Sequence, residues 1–233
     1  MVYGIILSAG SGKRMNSDIK KQYIELEGKP IIYYALEKFD KSNVDGIILV
    51  TSVDDEAYVR EQIINKYNFE KKIDIVYGGK ERYDSVFNAL KCAKNAKYVL
   101  IHDGARPFAT TELINQIIDS CRVKEACLAA VRVKDTIKKV KEGCIFETVP
   151  RGDLWQIQTP QGFNYEKLYR AYKKMYEENS QEGVTDDSMV WEKYEKSPVH
   201  VIESEYSNIK ITTKEDLLYG RSLIKSGFEG EKS

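Results

Sequence analysis

Through Val131 the chain alternates short apolar runs with longer amphipathic stretches. The runs are Gly4-Ile5-Ile6-Leu7, Ile47-Ile48-Leu49-Val50, Ile73–Tyr77, Tyr98–Ile101 and Leu128–Val131. Such Ile-, Leu- and Val-rich runs predict strands buried on both faces. The stretches between them carry helix signals. Pro30 suits a first-turn position, where its missing N–H costs little. Residues 54–67 open with Asp54-Asp55-Glu56, acidic charge at the positive end of a helix dipole. Residues 82–94 put Val86, Leu90 and Ala93 on one face, and Thr110-Thr111 can cap a helix carrying Leu113, Ile114, Ile117 and Ile118. The repetition predicts an α/β fold, a Rossmann-like, mostly parallel sheet flanked by helices.

The pattern breaks at residues 132–158. Thr136–Val140 and Cys144–Val149 flank Lys141-Glu142-Gly143, which reads as a β-hairpin. An isolated hairpin is marginal in water, so this one must lean on its own domain or on a second subunit. The sequence therefore predicts one domain over 1–233 with a protruding β-arm. Helical patterns return at 164–178 and 185–195. Strands follow at Val199–Ile202 and Asn208–Ile211, and a last helix starts at Thr213 with Asp216 as a capping-box variant. Residues 226–233 read as a frayed tail.

Composition narrows the function. Lys+Arg and Asp+Glu are both 36, so the formal net charge is zero. That balance argues against a general nucleic-acid or membrane-surface binder. No apolar stretch approaches the ~20 residues needed to span a bilayer. Cys92, Cys121, Cys127 and Cys144 form no C-x-x-C pair and read as reduced, mostly buried thiols, so a cytoplasmic location is expected.

Candidate chemistry gathers at strand ends, where open parallel sheets bind ligands. Ser8-Ala9-Gly10-Ser11-Gly12 follows the first strand, with Lys13, Arg14 and Lys21 close behind. Small residues let backbone N–H groups approach an anion, and the cations can neutralise phosphate. The loop is not a Walker A motif, because Arg14 stands where Ser or Thr is needed. It is not a dinucleotide fingerprint either, because Met15 takes the third glycine position. After the third strand come Gly78-Gly79-Lys80-Glu81-Arg82 and Asp84-Ser85; after the fourth comes His102-Asp103-Gly104-Ala105-Arg106-Pro107. Thr136 and Lys210 follow later strands. Together these clusters point to a phosphate-rich substrate. Asp103 suits a Mg²⁺ ligand, since that ion takes one or two carboxylates plus phosphate oxygens. No G-x-S-x-G elbow accompanies His102, which reads as structural.

Ser8–Met15 with Lys21-Gln22-Tyr23 resembles the signature of sugar-phosphate cytidylyltransferases. Gly78-Gly79 with Arg82 and Ser85-Val86, His102-Asp103 with Ala105–Phe108, and Asp135–Lys138 match too. So do Arg151, Leu154-Trp155, Gln158–Gln161, Thr185-Asp186-Asp187 and Asn208–Thr212. Their order is similar to the 2-C-methyl-D-erythritol 4-phosphate cytidylyltransferase family over about residues 3 to 220. The resemblance implies cytidylyl transfer from CTP to a polyol phosphate, with Mg²⁺ as cofactor and a homodimer joined through the arm. The alternative substrate is ribitol 5-phosphate. It assigns Arg14 and Lys21 to catalysis, and Ser8, Ala9, Gly10, Gly12, Gly78, Gly79, Lys80, Ser85 and Gly104 to CTP. Arg106, Thr136, Arg151, Thr159, Thr185 and Lys210 go to the sugar phosphate, and Asp103 to the metal. Lys20, Lys80 and Gly104 depart from the family's usual residues.

Overall fold

The computed structural model describes residues 1–10 and 20–227. Its element order is β1 (Val2–Leu7), β2 (Glu25–Leu26), β3 (Lys29–Pro30), α1 (Ile31–Asp40), β4 (Gly46–Thr51) and α2 (Glu56–Tyr58). Next come β5 (Ile73–Tyr77), α3 (Arg82–Cys92), β6 (Tyr98–Asp103), α4 (Thr111–Lys124), β7 (Ala126–Arg132), β8 (Ile137–Lys141) and β9 (Cys144–Val149). The chain closes with β10 (Trp155–Asn164), α5 (Tyr165–Glu177), α6 (Asp187–Glu195), β11 (His200–Glu203) and α7 (Lys214–Lys225).

Seven strands form the main sheet in the order β11-β7-β10-β6-β1-β4-β5. All neighbours pair in parallel except β10, which runs antiparallel to both β6 and β7. The fold is α/β, as the alternation predicts. Period-two alternation splits each central strand between two cores. Ile6, Ile47, Leu49 and Leu100 pack with α1 and α4, whereas Ile5, Ile48, Val50, Val99 and Ile101 pack with α3, α5 and α6. Both faces are therefore covered, which explains the unbroken apolar runs.

Three local readings are corrected. The segment read as a helix over 54–67 is a composite, a 3₁₀ turn at Val53–Asp55, α2, then a π-helical stretch at Val59–Ile64. Asn208–Ile211 is not a strand. Its Asn208 Nδ2 donates to Gln158 Oε1 and Thr159 O, each at 3.0 Å, and Ile211 N donates to Ala105 O at 2.8 Å. These bonds replace a ladder. The long strand β10 has no strand signature in the sequence, because Pro160 cannot donate to a ladder and Gln158, Thr159 and Gln161 are polar. The register shift between Ile157 and Gln161 accommodates that segment, which includes a cis Thr159-Pro160 bond.

The order places β1 between β4 and β6; the chain leaves β1 towards β4 on one side and leaves β6 towards β7 on the other. The carboxyl ends of β1 and β6 thus form the switch point where such sheets open a crevice. The hairpin β8–β9 forms a separate two-stranded sheet, as the break in pattern predicts.

Candidate active site

A cleft of about 400 Å³ opens at that switch point. Loops after β1, β5 and β6 line it, together with Lys21, Gln22 and Lys210. Backbone bonds extend past the strand ends and fix the loops: Ser8 N donates to Val50 O at 2.7 Å, Gly78 N to Thr51 O at 2.9 Å and Gly104 N to Leu7 O at 2.9 Å. Buried Gln22 clips the first loop from below, its Nε2 donating to Ser8 O at 2.8 Å and Gly10 O at 3.2 Å. Gly78 lets two loops touch, since a Cβ there would lie 2.4 Å from Ala9 Cβ. The Ser85 hydroxyl holds the second loop shut by accepting from Gly79 N at 3.1 Å and donating to Glu81 O at 3.2 Å.

The electrostatic centre is Asp103 at the end of β6. Lys210 Nζ lies 2.9 Å from its Oδ2, Arg106 Nε 3.6 Å from the same oxygen, and Arg82 Nε 3.7 Å from Oδ1. Burial alone would raise this carboxyl, but Lys210, Arg82 and Arg106 together hold it well below the usual carboxylate range. Arg82 is gripped from behind by buried Asp187, with Nη2 2.7 Å from Oδ2. Burial favours loss of its proton, yet Asp187 and Asp103 keep it firmly cationic.

His102 lies behind Asp103. Its Nε2 is 3.0 Å from Arg106 O, which can only accept, so Nε2 carries the proton. Nδ1 then accepts from Thr159 Oγ1 at 3.0 Å, and Thr159 Oγ1 in turn accepts from Asp103 N at 3.0 Å. Burial pushes His102 down to about 4, so it is neutral near pH 7. With both nitrogens engaged it is a structural group, as the sequence reading has it.

A family profile described as IspD, 2-C-methyl-D-erythritol 4-phosphate cytidylyltransferase, matches residues 2–226. The chain belongs to that family. It is a nucleotidyltransferase. Relatives of that name from Clostridium kluyveri and Lachnoclostridium phytofermentans are 47% and 44% identical, each match covering 96% of both chains. A solved 4-diphosphocytidyl-2C-methyl-D-erythritol synthase from Anaerococcus prevotii superposes with TM-score 0.84 at 36% identity over 96% of each chain. A 2-C-methyl-D-erythritol 4-phosphate cytidylyltransferase from Francisella tularensis gives 0.79 at 32% identity, over 95% of this chain and 98% of that one.

Of the residues the resemblance selects, Ser8, Ala9, Gly10, Lys21, Gly79, Lys80, Ser85, Asp103 and Lys210 line the cleft together. Arg106 sits just behind, its Nη1 donating to Asn208 O at 2.8 Å. Gly104 and Thr159 are buried beneath. A Cβ on Gly104 would meet Leu7 O at 2.9 Å, so this glycine allows β1 and β6 to close up. Thr185 is exposed beside α6, its hydroxyl 3.1 Å from Met189 Sδ. Thr136 and Arg151 lie exposed in the arm, outside the cleft lining, and Arg151 Nη1 donates to Lys134 O. Gly12 and Arg14 lie outside the described residues. Arg82 is the cleft cation that received no role from sequence. Its signal was present in the motif Gly78-Gly79 followed by Arg82, but its partner Asp187 stands 105 residues away.

Proposed function

We propose that this cleft transfers a cytidylyl group by placing charge, without a general base. The enzyme converts CTP and 2-C-methyl-D-erythritol 4-phosphate to 4-diphosphocytidyl-2-C-methyl-D-erythritol and pyrophosphate. One observation carries the mechanistic reading. Lys21, Arg82 and Lys210 line the cleft around Asp103, while the adjacent His102 is neutral with both nitrogens occupied. The nucleophile is a phosphate oxygen, ionised at neutral pH, so no proton need be removed. It attacks the α-phosphorus, and the bond to the bridging oxygen of the β-phosphate breaks. Positioning and stabilisation of the negative charge on the transferring and leaving phosphates are what the protein must provide.

The roles follow from placement and family resemblance. Lys21 and Arg14 stabilise charge on the triphosphate. Backbone groups of the loops at Ala9 and Gly79-Lys80 read the base, and the Ser85 hydroxyl shapes the second loop. Lys210 and Arg106 hold the alcohol phosphate. Asp103 fits a cation carried in on the nucleotide, because its Oδ1 lies beyond hydrogen-bond distance of Arg82 and the group stays ionised. Mg²⁺ there would neutralise triphosphate charge and favour departure of pyrophosphate. Two of the remaining phosphate ligands, Thr136 and Arg151, would reach a neighbouring subunit's cleft on the arm of a homodimer. Balanced net charge fits a small-molecule enzyme of the cytoplasm rather than a nucleic-acid or membrane binder. Among the described residues no helix is long and apolar enough to cross a membrane.

The test is pyrophosphate release from CTP and Mg²⁺ with either polyol phosphate. Turnover with methylerythritol phosphate well above that with ribitol 5-phosphate is expected. The reverse order would transfer the assignment to the ribitol substrate, and loss of activity at neutral pH on adding a His102→Gln change to an intact fold would contradict the base-free reading.

A further inference from the structure

Behind the cleft lies a charge cluster that the transfer reaction does not itself account for. Asp187, the first residue of α6, is wholly buried, with 0% of its surface exposed. Its Oδ1 accepts from Tyr172 Oη at 2.6 Å and its Oδ2 pairs with Arg82 Nη2 at 2.7 Å. Tyr172 lies on α5 and is also at 0% exposure. Arg82 begins α3 and reaches into the cleft, its side chain 27% exposed and its Nε 3.7 Å from Asp103 Oδ1. Three helices thus converge on one guanidinium. The neighbouring Asp186 has a different task, capping α6 through Met189 N at 3.1 Å.

A buried carboxylate is costly unless its partners are well placed, and removing one partner from such a pair is strongly destabilising. If helix anchoring were the only need, an apolar contact would serve. The arrangement instead holds one terminal nitrogen of a planar cation, Nη2, and leaves its Nε 3.7 Å from Asp103, beyond hydrogen-bond distance. A guanidinium presents five N–H donors in a rigid fork, so the donors not spent on Asp187 remain available to phosphate oxygens. An arginine tied at one edge cannot swing to solvent, which lowers the entropy lost when the ligand docks.

We propose that Asp187, braced by Tyr172, is a positioning residue that presents Arg82 to the phosphate of the attacking alcohol phosphate. The choice of that phosphate over the triphosphate follows from location. Arg82 shares Asp103 with Lys210 and Arg106, while Lys21 lies on the loop side of the cleft that follows β1. The inference rests on the cleft being the transfer site.

Steady-state kinetics with both substrates, run as a double-mutant cycle, test it. Arg82→Gln should raise the KM for the alcohol phosphate about tenfold or more, the usual scale for a lost charged hydrogen bond, and leave the KM for CTP within about twofold. Asp187→Asn should reproduce that split. Added to Arg82→Gln it should cost less than about a further twofold, because both changes remove one coupled unit. Tyr172→Phe keeps the packing and should give a weaker form of the same effect, about two- to fivefold. It carries the cycle if Asp187→Asn does not fold. Losses that multiply in the double variant, or a shift confined to CTP, would overturn the proposal. A wild-type protein that releases no pyrophosphate would instead refute the reading of the cleft, so the two failures are distinct.

Discussion

The cleft and the arm handle polar groups in opposite ways. In the cleft, Asp103 and Asp187 are buried and each is matched by cations or donors from distant parts of the same chain. In the arm, β8 and β9 bond chiefly to each other, and their apolar side chains face outward: Val140 is 57% exposed, Ile145 64% and Phe146 62%. Lys139 and Glu147 pair across the hairpin at 2.7 Å, but both are open to water. Exposed pairs of this kind contribute little, ~0–1 kcal/mol. The cleft is organised by one chain before any ligand arrives. The arm instead carries apolar side chains that its own chain does not cover.

The largest expected effect lies in the cleft. Lys21→Ala should lower turnover on the order of 100-fold or more, as loss of one donor aimed at developing charge does. CTP affinity should change far less. Near wild-type turnover would remove Lys21 from catalysis and with it the contrast between a working cleft and a supporting arm.

The arm should matter next, at roughly 10- to 100-fold for Arg151→Ala, the scale of a lost charge-assisted phosphate contact. If the arm crosses a dimer, the residue serves its neighbour. Mixing Lys21→Ala with Arg151→Ala would then create heterodimers in which one site carries both defects and the other neither. Up to about half the sites in each heterodimer should recover. No recovery despite proven subunit exchange would place Arg151 on its own subunit's cleft and erase the distinction between the two regions. Activity should also require a divalent cation, with Asp103→Asn raising the Mg²⁺ requirement; full turnover in EDTA would remove the ion from the cleft.

How far each region was legible in the sequence follows from what built it. The strands at Val2–Leu7, Gly46–Thr51, Ile73–Tyr77 and Tyr98–Asp103 are apolar runs, and the chemistry at their ends could be read directly. The hairpin was visible as a break in that pattern. β10 was not, because its middle is Gln158-Thr159-Pro160-Gln161, polar residues buried for their hydrogen bonds rather than their hydrophobicity. Thr159, which the resemblance gives to the sugar phosphate, is among those buried residues, and its hydroxyl bonds to His102 and Asp103. The grip of Asp187 on Arg82 is a tertiary fact with no local periodicity to announce it.

A smaller effect should appear below neutral pH. His102 is held at about 4 against an ordinary 6.5, chiefly by burial. The folded state therefore binds fewer protons than the unfolded state between those values, and stability must fall as pH drops through that window. The contribution is about 3 kcal/mol when fully lost. Asp103, also lowered, adds its loss only below the ordinary carboxylate range. Thermal unfolding at pH 6.5 and 4.5 should show a steeper fall in wild type than in His102→Gln. Equal slopes would mean that His102 does not titrate as this buried network requires.

The smallest effect sharpens the comparison at the cleft's own margin. Lys20 departs from the proline usual in the family, and a freer backbone at this one position would leave the entry to Lys21 less restrained. The structure supplies a different restraint. Lys20 Nζ lies 2.7 Å from Asp55 Oδ2 and 3.0 Å from Ser52 Oγ. Tyr23 Oη reaches the same Asp55 oxygen at 3.2 Å, so two side chains tie this segment to the turn after β4. The backbone at Lys20 has φ −58° and ψ 136°, already within the range a proline ring imposes. Ala at this position would lose the clamp without gaining stiffness, and should cost ~0.5–1 kcal/mol, or about two- to fivefold in kcat/KM. Proline would exchange one restraint for the other and should keep kcat/KM within about twofold of wild type. If Lys20→Pro is as damaging as Lys20→Ala, the ion pair contributes something that backbone stiffness cannot, and Lys20 must then be counted among the charges that organise the cleft.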